Sequence, residues 1–103
     1  MGIELKKGKD HTLLTVTDGS FKGEGPAELK RMAVEAIELG ERKIFIDMKK
    51  PEYIDSSGVG KLLFLSKKLD KLNGELAVVK INKTLYSFLE SLAITRVINI
   101  SKP

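Results

Sequence analysis

The stretch "KIFIDMKKPEYIDSSGVGKLLFLSKKL" (Lys43–Leu69) decides the fold. Its first six residues, Lys43–Met48, are short and apolar on both faces, which predicts a central strand buried inside a sheet. Its last part predicts a helix over Val59–Leu72, stopped at Asn73-Gly74. At about 100° per residue, Gly58, Leu62, Leu65, Leu69 and Leu72 fall on one side of that helix and form its core face. Between strand and helix stand an acid, two hydroxyls and two glycines. An N-cap accounts for Asp55 or Ser56, which would accept from the free N–H groups of the first turn. Ser57 and the glycines need another reason.

Working outward, Ile3–Lys7 and His11–Thr17 read as a β-hairpin, and Asp18–Pro26 as a glycine-rich loop. Pro26 suits a helix start, and Leu29, Met32, Ala33, Ala36 and Ile37 repeat at helical spacing until Gly40. "ELAVVKI" (Glu75–Ile81) is a second buried strand. Asn82 caps a third helix with Leu85, Phe88, Leu89 and Leu92 on one face, and "RVINI" (Arg96–Ile100) is a last strand. Strands alternating with helices imply an α/β fold with crossover connections and a largely parallel sheet. With 103 residues and 42% apolar content, the chain fits a single domain spanning residues 1–103, able to bury a core.

Composition removes several functions. There is no cysteine, which excludes disulfides, thiolate zinc sites and cysteine nucleophiles. No apolar run approaches the roughly 20 residues that span a bilayer, and "MGIELKKGKD" lacks a signal-peptide core, so a cytoplasmic protein with no membrane association is expected. The net charge of +4 comes from lysines scattered among glutamates, with few aromatics to stack on bases, so nucleic acid is not an expected partner. His11 is the only histidine and opens a predicted hairpin strand, away from Ser57, which argues against a Ser–His–Asp triad. "GVGKLL" fails as a P-loop end, with Asp55 for the first glycine and Leu62 for the Ser/Thr. Asp47 and Asp55 are two carboxylates alone, a weak basis for a metal. No enzyme activity, metal or cofactor is expected.

Ser57 lies away from the core face of its helix. Lys61, Phe64 and Lys68 follow it at spacings of four, seven and eleven, so Ser57 opens an outward stripe containing an aromatic. Phe64 is either covered by a neighbouring element or a partner contact, since aromatic anchors dominate binding hot spots. A helix N-terminus offers free N–H groups and about half a positive charge, where a phosphate sits well. Modification of Ser57 would add about −1.5 to −2 charge to the stripe. Gly58 and Gly60 are expected to leave the first turn open to a partner backbone.

The buried strand "KIFIDM", the loop, "YIDSSGVGKLL", the helix and "GELAVVKI" together closely resemble the STAS domain of bacterial anti-sigma factor antagonists, over nearly the whole chain. The resemblance implies a small mixed sheet with helices packed mainly on one face, and a regulator with no enzyme activity. It implies an antagonist that binds an anti-sigma factor, a serine kinase of the histidine-kinase-like ATPase class, and so releases a sigma factor. The kinase would phosphorylate Ser57, with Asp55, Ser56, Gly58 and Gly60 as motif neighbours, and a PP2C-type phosphatase would reverse it. Lys22 departs from the pattern: "GSFK" stands where the family commonly has G-E-[LI]-D, whose acid helps form the kinase-facing surface. Lys22, Lys61, Phe64 and Lys68 are the candidate partner-binding residues. The usual C-terminal family helix is expected to be short or absent, leaving a surface open for weak self-association. Two rival readings stand beside this one: a non-phosphorylated STAS scaffold or regulatory subunit of a signalling or transport complex, and a small-nucleotide sensor.

Overall fold

The computed structural model describes residues 2–103. Among them the chain forms β1 (Ile3–Lys7), β2 (Thr12–Val16), β3 (Ser20–Phe21), α1 (Glu24–Glu38), β4 (Lys43–Met48), β5 (Tyr53–Ile54), α2 (Ser56–Lys71), β6 (Glu75–Ile81), α3 (Lys83–Ser91) and β7 (Asn99–Ile100), with a 3-10 turn at Ile94–Arg96. The main sheet has the order β1-β2-β4-β6-β7. β1 and β2 form the antiparallel hairpin, and every later pairing in that sheet is parallel. This is the mixed α/β architecture expected from the sequence.

Strand alternation separates the two faces of the sheet. Leu14 and Val16 of β2, with Ile44, Ile46 and Met48 of β4, are buried on one face. Leu13, Thr15, Phe45 and Asp47 point to the other and stay partly exposed. In β6 an extra residue shifts the register between Ile46 and Asp47, pairing Ile46 with Val78 but Asp47 with Lys80. The shift resets the phase, so Val78 and Ile81 are both buried although they are three apart. Leu29, Ala33 and Ile37 of α1, Leu62, Leu65 and Leu69 of α2, and Leu85 and Leu89 of α3 join the inward strand residues in one core. Each fully buried leucine contributes about 1.5–3 kcal/mol by leaving water.

Several boundaries differ from the sequence expectation. α1 begins at Glu24, so Pro26 is its third residue, buried and still inside the first turn, where no intrahelical N–H bond is lost. α2 begins at Ser56 and not at Val59, which places Ser57 and Gly58 within the helix. The last strand shrinks from Arg96–Ile100 to two residues. Ala93 adopts the left-handed conformation (φ 62°) and leads into the 3-10 turn that absorbs Arg96. Leu72, Phe88 and Leu92 are exposed, not core. Leu72 and Leu92 stand at helix C-caps, and Phe88 is on the solvent side of α3, whose buried residues are Leu85 and Leu89.

Candidate functional site

The segment after β4 is built from both sides of the chain. Asp47 Oδ1 accepts from the Lys49 backbone N–H at 3.0 Å and turns the chain out of the sheet. Tyr53 and Ile54 then pair in parallel with Ser20 and Phe21, forming a two-stranded ribbon outside the main sheet. The Glu52 N–H donates to the Gly19 carbonyl at 2.9 Å, and the Asp55 N–H to the Phe21 carbonyl at 3.3 Å. This ribbon carries the loop of Lys22 against the start of α2, and Lys22 Nζ lies 6.0 Å from the centroid of the Tyr53 ring.

Asp55 is the N-cap of α2, in extended conformation. Its Oδ1 accepts from the Gly58 N–H at 2.8 Å, and its Oδ2 lies 3.4 Å from the backbone nitrogen of Gly23, the N-cap of α1. One carboxylate thus touches the starts of both helices. Both Asp47 and Asp55 are engaged in local backbone bonds. Among the described residues no group of three or more His, Asp or Glu side chains gathers as a metal would require.

Ser56 is exposed and Ser57 is half-buried, in the first turn of the helix. Their N–H groups have no intrahelical acceptor, as at any helix start, and they carry the positive end of the helix dipole. Gly58 is buried, and the sequence expectation for it needs correction. A Cβ there would lie 2.6 Å from Ile54 Cγ1, 2.9 Å from Phe21 Cδ2 and 3.0 Å from the Phe21 carbonyl oxygen. Gly58 therefore serves close packing of α2 on the β3–β5 ribbon and is not an opening for a partner. Gly60 is exposed, with open space where a Cβ would be.

Along α2, Lys61 and Lys68 are half-buried and Phe64 is 43% exposed. Lys30 of α1 places its Nζ 4.2 Å from the centroid of the Phe64 ring, a cation–π contact between the two helices. A surface depression is lined by Phe64, Lys67, Lys68 and Lys71. Lys22, Asp55, Ser56, Ser57 and Gly58 meet at one end of α2. Phe64 and Lys68 lie two to three turns further along it.

His11 stands at the other end of the molecule. It precedes β2 at the edge where Thr12 pairs with Ile44, whereas Ser57 follows the opposite end of β4. About 3.3 Å per residue along β4 separates the two ends by more than 10 Å. His11 stacks on Phe45 with ring centroids 5.0 Å apart and has its Nδ1 3.2 Å from Asp10 Oδ1.

The sequence reading missed Phe21, Gly23, Ile54 and Lys30. Gly23 has φ of +64°, a conformation glycine adopts without strain, and its place between Lys22 and Glu24 was the only available signal. Nothing in the order of residues announces that Lys30 reaches Phe64.

The family model of the STAS domain matches residues 5–102, and the chain belongs to the STAS domain family. That family's anti-sigma factor antagonists are regulatory proteins and not enzymes. The fold is similar to that of the Thermotoga maritima protein TM1081, at 22% identity and a TM-score of 0.82 over 95% of this chain and 78% of that one. It is also similar to the unphosphorylated anti-sigma factor antagonist SpoIIAA of Bacillus (15% identity, TM-score 0.80, 97% of this chain and 88% of that one). An anti-sigma factor antagonist from Mycobacterium paratuberculosis matches at 16% identity and a TM-score of 0.80, over 98% of this chain and 84% of that one. No curated protein sequence is significantly similar to the chain. Among the described residues no helix is long and apolar enough to cross a membrane.

Proposed function

We propose that the protein is an anti-sigma factor antagonist whose partner choice is switched by phosphorylation of Ser57. In this reading the unmodified form binds an anti-sigma factor that is also a serine kinase of the histidine-kinase-like ATPase class, and frees a sigma factor. The kinase moves the γ-phosphoryl group of ATP onto Ser57 Oγ. The bond to ADP breaks, and the hydroxyl proton passes to a base on the kinase. A PP2C-type phosphatase hydrolyses the ester.

The observation that carries this reading is the position of Ser57 in the first turn of α2, half-buried beside the unbonded N–H groups. A dianionic group is favoured there by the helix dipole. It also sits on the same flank as Phe64, so a partner accommodated by a hydroxyl meets new charge. The solved phosphorylated form of SpoIIAA, similar in fold at 16% identity and a TM-score of 0.74, gives a precedent for a phosphorylated state of this fold.

The test is incubation with ATP and a serine kinase of the histidine-kinase-like ATPase class from the same organism, followed by peptide mass analysis. One phosphoryl group on the peptide containing Ser57, absent in Ser57→Ala, supports the switch. Lys22 favours one second reading, a scaffold that is never modified, because a cation stands where the kinase-facing acid is expected. Stable complex formation with an unchanged mass would select the scaffold.

A further inference from the structure

The charges of α2 are distributed unevenly around its axis. The helix carries Lys61, Lys67, Lys68 and Lys71 against a single acid, Asp70. At about 100° per residue, Lys61, Phe64, Lys68 and Lys71 all point within about 40° of the direction of Ser57, whereas Asp70 points about 140° away. Lys30 joins this flank from α1 through its contact with the Phe64 ring. None of these lysines is within ion-pair distance of a carboxylate among the described residues; the lysine that is, Lys7, lies in β1. The flank is therefore a strip of ammonium groups without carboxylate partners around a partly exposed aromatic ring, with a depression of about 230 Å³ between Phe64, Lys67, Lys68 and Lys71.

We infer that this flank of α2 docks an acidic segment of a protein partner, with an aliphatic side chain of that segment seated on Phe64 between carboxylates paired to Lys30, Lys67, Lys68 and Lys71. The inference rests on the reading above that this flank faces a protein partner, and it adds the chemistry of that partner. Charge complementarity selects the acidic segment. Rim ion pairs of this kind supply association rate and partner choice, while the buried aromatic contact supplies affinity. A membrane surface is a poorer fit. The leucines of its continuous apolar stripe, Leu62, Leu65 and Leu69, are fully buried in the protein core. The apolar side chains left exposed, Leu63, Phe64 and Leu72, point in different directions around the helix and form no membrane-facing stripe. Nucleic acid is a poorer fit too, because the strip holds one aromatic ring and no arginine fork. The arrangement also explains how Ser57 modification would act: a phosphate at the head of the strip repels incoming carboxylates and competes for Lys61, one turn away.

The test uses the whole isotopically labelled protein and two synthetic helix-forming peptides, one of Glu, Ala and Leu, the other with Lys in place of every Glu. The acidic peptide is expected to shift the amide resonances of residues 61–71 and of Lys30, and the basic peptide to leave them unmoved. Reversing Lys67, Lys68 and Lys71 to Glu is expected to weaken acidic-peptide binding about tenfold or more, as the loss of several modest ion pairs predicts. Reversing Lys49 and Lys50, exposed at the end of β4, serves as the control and is expected to change nothing. Unchanged amide spectra elsewhere in the variants separate lost docking from lost folding. Equal binding of the basic peptide, shifts mapping away from α2, equal losses in the control, or tighter binding to phosphatidylserine vesicles or a single-stranded oligonucleotide would overturn the inference. No kinase takes part in this test. Its failure leaves Ser57 switching standing, and a kinase assay that leaves Ser57 unmodified does not touch its success.

Discussion

Asp55 Oδ2 lies 3.4 Å from the backbone nitrogen of Gly23, a residue 32 positions earlier that begins α1. The other oxygen of the same carboxylate caps α2 through Gly58 at 2.8 Å. The motif acid therefore has a structural task that requires no partner. Asp55→Ala is expected to lower the unfolding free energy by about 1–2 kcal/mol, the cost of a lost cap. Asp55→Asn should keep most of it, because an amide oxygen also caps. Urea denaturation of the three proteins measures the difference, and equal midpoints for wild type and Asp55→Ala would remove the cap's role.

The two motif glycines are expected to respond in opposite directions. Gly58→Ala pushes a methyl against Ile54, Phe21 and backbone, and should cost about 1–3 kcal/mol by overpacking. Gly60→Ala enters open space in the helix interior and should gain up to about 1 kcal/mol from helix propensity. Thermal unfolding of both variants checks the signs.

Phe64 is held by Lys30 on one side and is 43% exposed. Phe64→Ala should cost about 1 kcal/mol or less, the value of a cation–π contact, and leave the thermal midpoint nearly intact while weakening partner binding. Truncating a core phenylalanine costs about 3–5 kcal/mol. A loss of that size would place Phe64 in the core and remove it from the docking flank.

Acid should destabilise the protein in part through Glu41. The Lys7 ammonium, 3.0 Å from its carboxylate, holds the Glu41 carboxyl below its ordinary value. Arg31 does the same for Glu28 through paired bonds of 3.0 and 2.9 Å. A carboxyl depressed in the folded state contributes stability that is present above its unfolded value and lost as pH falls through the folded one. Glu41→Gln is therefore expected to be slightly less stable than wild type at neutral pH and to lose less on acidification below the ordinary glutamate value of about 4.3, so that the two proteins converge in acid. Midpoints measured from neutral pH to pH 3 test this, and a variant with the full acid slope would dismiss the pair.

The parts of the fold readable in the sequence are the apolar patterns. The leucines of α2 repeat often enough to show a helix face, and the short apolar run Lys43–Met48 shows a strand inside the sheet, although only Ile44, Ile46 and Met48 are buried and Phe45 and Asp47 stay partly exposed. The β3–β5 ribbon was not legible, because two-residue strands have no period and their pairing partners lie 33 positions apart. The outward places of Leu72, Phe88 and Leu92 were not legible either. Helical spacing shows which residues share a face but not where the neighbouring element ends. At the site, the motif marked Ser57 and Asp55, but only three-dimensional packing reveals that Gly58 is a contact with Phe21 and that Lys30 joins from another helix.

The β3–β5 ribbon divides labour within the loop it anchors. Phe21 and Ile54 turn inward and their main chains are tied together, while Lys22 is exposed and its side chain meets the ribbon through its ammonium, 6.0 Å from the centroid of the Tyr53 ring. Exchanging Lys22 for another exposed residue would leave the tether undisturbed yet rewrite what an approaching protein meets. Descendants of one such gene could thus part company in allegiance through a single codon, without rebuilding the domain that carries it.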